Sequence, residues 1–532
     1  MKRRLLALLA LLLCLSLSLT GCGRPKSGKA FAMPITDEPV SLDPQIAHSN
    51  AEKRIISNCF EGLLTVGPDG KLLPGVAETY TVSPDGLSYV FSLRKDTNWC
   101  VFSKHAALLK EPYGKNYKED FPKAVTADDF VFALERVRDP QTDSPDAYLF
   151  SAIQSVTAPD PHTLQIRLSY PDENFLYALT APGAMPCNRT FFALTGGRYG
   201  LETGYTLCNG PFHVASWLEK TSIKLSKNDA YKGERSVKPS SLTLYYNKDK
   251  TQIAGKMADE IYDAAFLTEQ EWKAMPHQKK FSAQQVTDST VAFLFNQRDA
   301  LLANETMRRA LTSALSPDDV HLPQGAVPAK GIIPPFCTVG NMPLRTDQQP
   351  AKGFISHHAA QAATDFEEAM LQLGKHSAEL EVLCTAEYET YVREVLQLWQ
   401  KTLGVRFVGS VTVLPEDELE AAIRSGRYQI ALGSVRAASA FAPDFLEQFG
   451  AENVLGFQDA HYDALLEKMH REKSNFDTLR ELVETAETYL LEHAVLYPVE
   501  YENHYFVTKQ DTAGIYFYAS RDYVYFIDAR KK

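Results

Sequence analysis

Residues 379–434 read ELEVLCTAEYETYVREVLQLWQKTLGVRFVGSVTVLPEDELEAAIRSGRYQIALGS. ELEVLC (379–384) alternates polar and apolar residues as a strand does, and EYETYVREVLQLWQKTL (387–403) repeats its apolar residues at helical spacing. VRFVGS (405–410) returns to strand, and PEDELEAAIRSG (415–426) to helix, with Pro415 near its first position. YQIALGS (428–434) is a strand again. Strand and helix in this order give a mostly parallel sheet covered by helices, so the class is α/β.

The pattern continues, less regularly, on both sides. Downstream, FDTLRELVETAETYLLEHA (476–494) is an amphipathic helix leading into the strand-rich tail VLYPVEYENHYFVT (495–508). Upstream, YVFSLR (89–94) and TLQIRLS (163–169) alternate like half-buried strands. TADDFVFALERVRD (126–139) reads as a helix with Thr126 as N-cap and acids in its first turn, where the dipole favours them. Residues 100–125 are polar and aperiodic, and the expectation there is a surface insertion. There is no internal repeat.

The chain begins MKRRLLALLALLLCLSLSLTGC. Its apolar run, Leu5–Leu19, falls short of the roughly 20 residues a membrane-spanning helix needs. Three cations, an apolar stretch and small residues make a secretory signal, residues 1–21. Leu19-Thr20-Gly21-Cys22 looks like a bacterial lipobox, which makes Cys22 the first mature residue and the lipid anchor. Residues 22–30 are then the lipidated cysteine and a polar tether. Gly23, Gly28 and Lys29 have P-loop spacing, but no strand precedes them, and Ala30 stands where a magnesium ligand is needed.

The formal net charge of the 532 residues is −11, and it becomes more negative when the leader is removed. Such a surface repels nucleic acid and anionic lipid. Cys59, Cys100, Cys187, Cys208, Cys337 and Cys384 are scattered without Cys-x-x-Cys spacing, which points to free buried thiols. Neither metal nor cofactor is expected. His-Glu-x-x-His and Gly-x-Ser-x-Gly are absent, and His357-His358 lacks acid or cysteine partners at ligand spacing, so no catalytic residue is assigned.

Six phrases in order resemble the extracytoplasmic solute-binding proteins of family 5, the oligopeptide-binding lipoproteins of ABC importers. They are SLDPQIAHSNAEKRIISNCFEGLLTVGPDGKLLPGVAETYTVSPDGLSYVFSLRKDTNW (41–99), VTADDFVFALERVRDP (125–140), NGPFHVASWLEKTSIKLSKNDAYKG (209–233), LFNQRDALLANETMRRAL (294–311), PAKGIIPP (328–335) and VLYPVEYENHYFV (495–507). The resemblance implies a two-lobed periplasmic-binding-protein-like fold with an extra inserted domain and a two-segment hinge. It places the N-terminal lobe at 31–62, 190–288 and 495–532, the inserted domain at 63–189, and the second lobe at 289–494. It also implies a monomeric, lipid-anchored receptor on the outer face of a bacterial membrane. The receptor would capture extended peptides between its lobes by hinge closure and pass them to a membrane permease.

In the family positions, Ser49, Asn50 and Ala51 would offer backbone groups from one lobe edge, and Gly433, Ser434 and Val435 from the other. Tyr501 would direct its ring into the cleft. Ser49 and Asn50 read equally well as a surface turn, and Tyr501 as core. One departure concerns ligand charge. Peptide-binding members carry an Asp for the peptide's α-ammonium where this chain has Ala438 in LGSVRAASAFAPDFLEQF (432–449). Losing that charge-assisted bond costs about 1.5–3 kcal/mol. Arg436 supplies a cation there that could hold a carboxylate, and Asp146 is the candidate replacement anion; a solvated surface charge is the plain reading of both. The alternative function is a sensor on the same scaffold that binds a sugar, opine or metal chelate without transport.

Overall fold

An unbroken apolar run in a strand signals burial on both faces. VAFLF (291–295) is such a run, and it forms the end of a strand of 15 residues. The computed structural model describes residues 28–172, 174–249, 251–315, 320–339, 342–344, 350–354, 357–436, 441–451, 453–472, 475–518 and 523–532. The leader 1–21, Cys22 and Ala438 lie outside the described residues. The elements that frame the cleft are, in chain order, α1 (Asn50–Cys59), β1 (Ala264–Thr268), α2 (Glu269–Ala274), β2 (Phe281–Phe295), β3 (Ala378–Cys384), α3 (Glu389–Leu403), β4 (Phe407–Val413), α4 (Glu416–Arg424), β5 (Ile430–Arg436) and β6 (Leu496–Lys509).

One seven-stranded sheet, of order β1-β6-β2-β5-β3-β4, runs through both lobes, with Val327–Pro328 bridged to β6. The strands and helices expected over 379–434 are all present, but the mostly parallel sheet is not. Only β3 pairs in parallel, with β4 and with β5, while β1, β2, β5 and β6 pair antiparallel. The reason is that β2 and β6 arrive from the other lobe rather than from a neighbouring strand-helix unit. Pro415 is the N-cap of α4 rather than its first residue.

The two long strands belong to two cores. Phe281 and Val286 of β2, and Phe506 and Val507 of β6, pack in first-lobe clusters. Val291, Phe293 and Phe295 face one second-lobe cluster, with Tyr497 and Val499, while Ala292 and Leu294 face another, with Leu496. Between the cores lie Thr287–Thr290 on β2 and Glu500–His504 on β6, rich in polar and charged side chains. Two β-bulges mark this crossing: Thr287 and Asp288 oppose Asn503, and Val499 is the extra residue beside Pro498. A bulge suits Pro498, which has no N–H for the ladder.

The first lobe adds a second sheet, Ala30–Ile35 beside Ser241–Tyr246, Ser222–Lys227 and Phe212–Leu218. Residues 63–189 carry a four-stranded antiparallel sheet, Ala77–Val82, Ser88–Leu93, Thr163–Leu168 and Ile153–Asp160, with the helix Ala127–Arg138 packed against it. A single apolar cluster, from Phe31 through Phe91 and Phe130 to Phe212, joins this sheet to the first lobe. Arg136 clamps the junction, bonding Asp43 at 2.6 Å and stacking on Phe192. Residues 100–125 lie largely at the surface but are not irregular: they form the helices Ala106–Tyr113 and Tyr117–Asp120, whose Leu109 and Tyr117 are buried with the nearby His105 and Phe121. Among the described residues no helix is long and apolar enough to cross a membrane.

Trp399 of α3 is fully buried against Phe293 and Phe407, and its Nε1 donates to Leu311 O at 2.9 Å. Trp399→Ala is expected to destabilise the second lobe by about 3–5 kcal/mol in urea unfolding, since it leaves both a cavity and an unpaired carbonyl.

Candidate functional site

Where the two strands cross, polar side chains gather from three strands. Asp288 on β2 accepts from Nε and Nη2 of Arg436 on β5 at 3.0 and 2.9 Å. Its other oxygen lies 3.2 Å from His504 Nδ1 on β6. Ser434 Oγ donates to Glu502 at 2.9 Å, and Thr287 Oγ1 donates to Asn503 at 2.6 Å. Burial pushes Asp288 up, but His504 and Arg436 outweigh it and hold the carboxyl down at about 2. Burial pulls His504 down, and the bond to Asp288 with the charges of Glu502 and Asp288 more than reverses that.

Beside this cluster a cavity opens between the lobes. Its volume is about 110 Å³, and it is partly open to solvent. Glu269, Gln270 and Lys273 of α2 line it from the first lobe. Gly325 and Ala326, with Glu387 and Tyr388 just before α3, line it from the second. Glu500, Tyr501, Glu502 and Asn503 of β6 form its wall along the crossing. Gln270 Nε2 donates to Glu387 across the gap, so the lobes touch there through a polar bond rather than an apolar seam. Asn503 Nδ2 donates to Glu269 at 2.8 Å, and Lys273 pairs with Glu269 at 2.5 Å. Among the described residues no group of three or more His, Cys, Asp or Glu side chains is arranged to hold a metal ion.

Of the residues named from sequence, Tyr501 lines this cavity, and its hydroxyl accepts from Lys330 N at 3.3 Å. Gly433–Arg436 lie on β5. One flank of that strand pairs with β2; on the other, β3 pairs only as far as Ala431. Among the described residues, the flank from Leu432 to Val435 thus has no strand partner on the β3 side. Gly433 has a packing reason: a Cβ there would come within 2.7 Å of Ile423 on α4. Val435 faces the second-lobe core. Arg436 is no unclaimed cation, because Asp288 already occupies it.

Two further expectations need correction. Ser49, Asn50 and Ala51 are not a strand edge but the N-cap and first turn of α1. Ser49 N donates to Glu52 at 3.0 Å and Ser49 O accepts from Lys53 N at 3.0 Å, so both backbone groups of Ser49 are used within the helix start. Ala51 is buried in the first-lobe core. Asp146 is not a solvated charge: it is 8% exposed, and its carboxylate accepts from Gly183 N at 2.9 Å. The residues the sequence reading missed are Asp288, Glu269, Glu387, Glu500, Glu502 and His504. Part of the signal was present, because EYENH (500–504) puts two carboxylates and a histidine inside a strand with apolar ends.

Comparison with known proteins fits this geometry. The profile of "Bacterial extracellular solute-binding proteins, family 5 Middle" matches residues 71–456. The chain belongs to that family, one of solute-binding proteins and not of enzymes. It is 24% identical to the dipeptide-binding protein DppE of Bacillus subtilis, over 90% of this chain and 88% of that one. It is also 24% identical to the oligopeptide-binding protein OppA of Bacillus subtilis, over 97% of each. Among solved structures, the substrate-binding domain of an oligopeptide ABC transporter from Bacillus anthracis superposes with a TM-score of 0.76 at 23% identity, covering 94% of this chain and 98% of that one. Listeria monocytogenes OppA bound to peptide superposes at 0.75 with 19% identity, covering 95% and 99%.

The Asp288 cluster sets a pH window. The contribution of Asp288 is present above its unfolded value of 3.8 and is lost as pH falls toward 2. The contribution of His504 is present below 6.5 and is lost as pH rises through its higher folded value. Asp288→Asn is therefore expected to cost about 2 kcal/mol in denaturant melts between those two values, and to cost progressively less in more acid solution.

Proposed function

We propose that this chain is the substrate-binding component of an ABC importer, taking up extended peptides between its lobes. The observation that carries this reading is the cavity at the strand crossing, walled by residues of both lobes and lined by polar groups. Backbone of Leu432–Val435, on the flank of β5 away from β2, can pair with a peptide strand whatever its sequence. Only a ligand that touches both lobes shifts the balance between open and closed forms. The peptide-binding names of the relatives support the same reading. The lobe boundaries expected from the sequence stand as part of this proposal, and the crossing at Thr287–Thr290 supports a boundary near residue 288.

The anchor is Cys22, whose thiol takes a diacylglycerol and which cleavage of residues 1–21 leaves as the first residue; it holds the protein at the outer face of the membrane as a monomer that meets its permease there. No catalytic step is assigned. Calorimetry of the purified protein with a peptide mixture tests the binding. Saturable uptake of peptide heat, with peptides found by mass spectrometry of the co-purified material, is the expected result. Sugars or metal chelates in their place would favour a non-peptide receptor. Peptide binding together with unchanged labelled-peptide uptake in a deletion strain would favour a sensor. Cys22→Ala is expected to release the protein from the membrane fraction and to abolish palmitate labelling.

A further inference from the structure

The cavity is unbalanced in charge. Among the described residues, Glu269, Glu387, Glu500 and Glu502 line it, and Lys273 is the one cation in the lining. Lys273 is paired with Glu269. Glu387 accepts from Gln270, and Glu502 accepts from Ser434 with His504 Nε2 4.0 Å away. Arg436 is turned to Asp288. Glu387 and Glu500 thus face the cavity without a close cation of their own, and Glu502 has only His504 at 4.0 Å.

Glu500 is the exceptional one. It is 5% exposed, and its Oε1 accepts from the Tyr388 hydroxyl. Its Oε2 is shut off from solvent and has no hydrogen-bond partner among the described residues. A buried carboxylate oxygen without a donor is costly, and the cost disappears if a ligand brings the donor. A hydrogen-bonding cation on a ligand would supply that donor and neutralise part of the acid around it.

We propose that this end of the cleft is a subsite for a cationic nitrogen of the ligand, an ammonium or guanidinium, anchored by Glu500 and flanked by Glu387 and Glu502. This rests on the peptide-binding reading and narrows it: the favoured peptide presents a free amino terminus or a basic side chain here. The protonation of Glu500 fits. Burial pushes its carboxyl up to about 7, the Tyr388 hydroxyl works against that, and the charges of Glu387, Glu502 and Glu269 add to it. Lys273, Tyr501 and Asn503 complete the surroundings. Without ligand the group titrates near neutrality; a bound cation favours its ionised form, so binding releases a proton.

The test is calorimetry on the full chain with four tetrapeptides: Ala-Lys-Ala-Ala, its norleucine analogue, and the N-acetylated form of each. Replacing a charge-assisted bond should change affinity roughly ten- to hundredfold. If a basic side chain fills the subsite, the lysine peptides win whether acetylated or not. If the amino terminus fills it, acetylation is what costs affinity and lysine adds little. In either case Glu500→Gln should collapse the preference for the cationic form, and wild-type preference should strengthen as pH rises through about 7. If Glu500→Gln does not fold, Glu387→Gln should reduce the same ratio. Equal affinity of wild type for all four peptides overturns the subsite. Failure of all four to bind sinks the peptide reading instead; a thermal shift with the diamine cadaverine, abolished by Glu387→Gln, would then still uphold the subsite, and no shift would sink it too.

Discussion

The carboxylate of Asp288, held by Arg436 on one side and His504 on the other, ties together the three strands on which the cleft is built. β2 and β6 must each leave one apolar core and enter another. Over the four or five residues between, no core exists to bury an apolar face, and the chain supplies polar ones. Those side chains are nonetheless largely buried, with Ser289 and Thr290 fully so, and they need partners. The cluster of Asp288, Arg436, His504, Glu502 and Asn503 meets that demand. The bulges opposite Asn503 and beside Pro498 bend the strands at the same place.

This arrangement suits movement better than strength. Removing both partners of a buried ion pair can leave stability unchanged, so the cluster is weak evidence for a stabilising role. What it provides is a crossing whose contacts are hydrogen bonds of short reach. An apolar seam there would hold the lobes together by roughly 25 cal/mol for each Å² buried, with no ligand present. The bond between Gln270 and Glu387 and the acid-lined cavity behind it are the opposite of such a seam. Ligand contacts can then decide the balance between open and closed forms, as an acceptor of this kind requires.

Much of the fold could be read from local pattern. The strands and helices of 379–434 follow from period-two and helical spacing, and VAFLF announces a strand buried on both faces. Parallel order did not follow, because β2 and β6 enter the sheet from far away in the chain. The start of α1 was legible too: Ser49 and Glu52 have capping-box spacing, a stronger signal than the strand edge assigned to that segment. Residues 100–125 hide their helices because their buried residues are few and irregularly spaced. The site was less legible. EYENH flags the crossing, but the pairing of Asp288 with Arg436 spans 148 residues, and no local spacing encodes it. The burial of Asp146 against Gly183 is equally non-local.

Function here depends on a gap between lobes that closes about a ligand through the polar crossing of β2 and β6. Small-angle scattering of the protein alone and saturated with a peptide that calorimetry shows to bind tests this most directly. A smaller radius of gyration in the complex is the predicted result. Superimposable curves with and without bound peptide would contradict it.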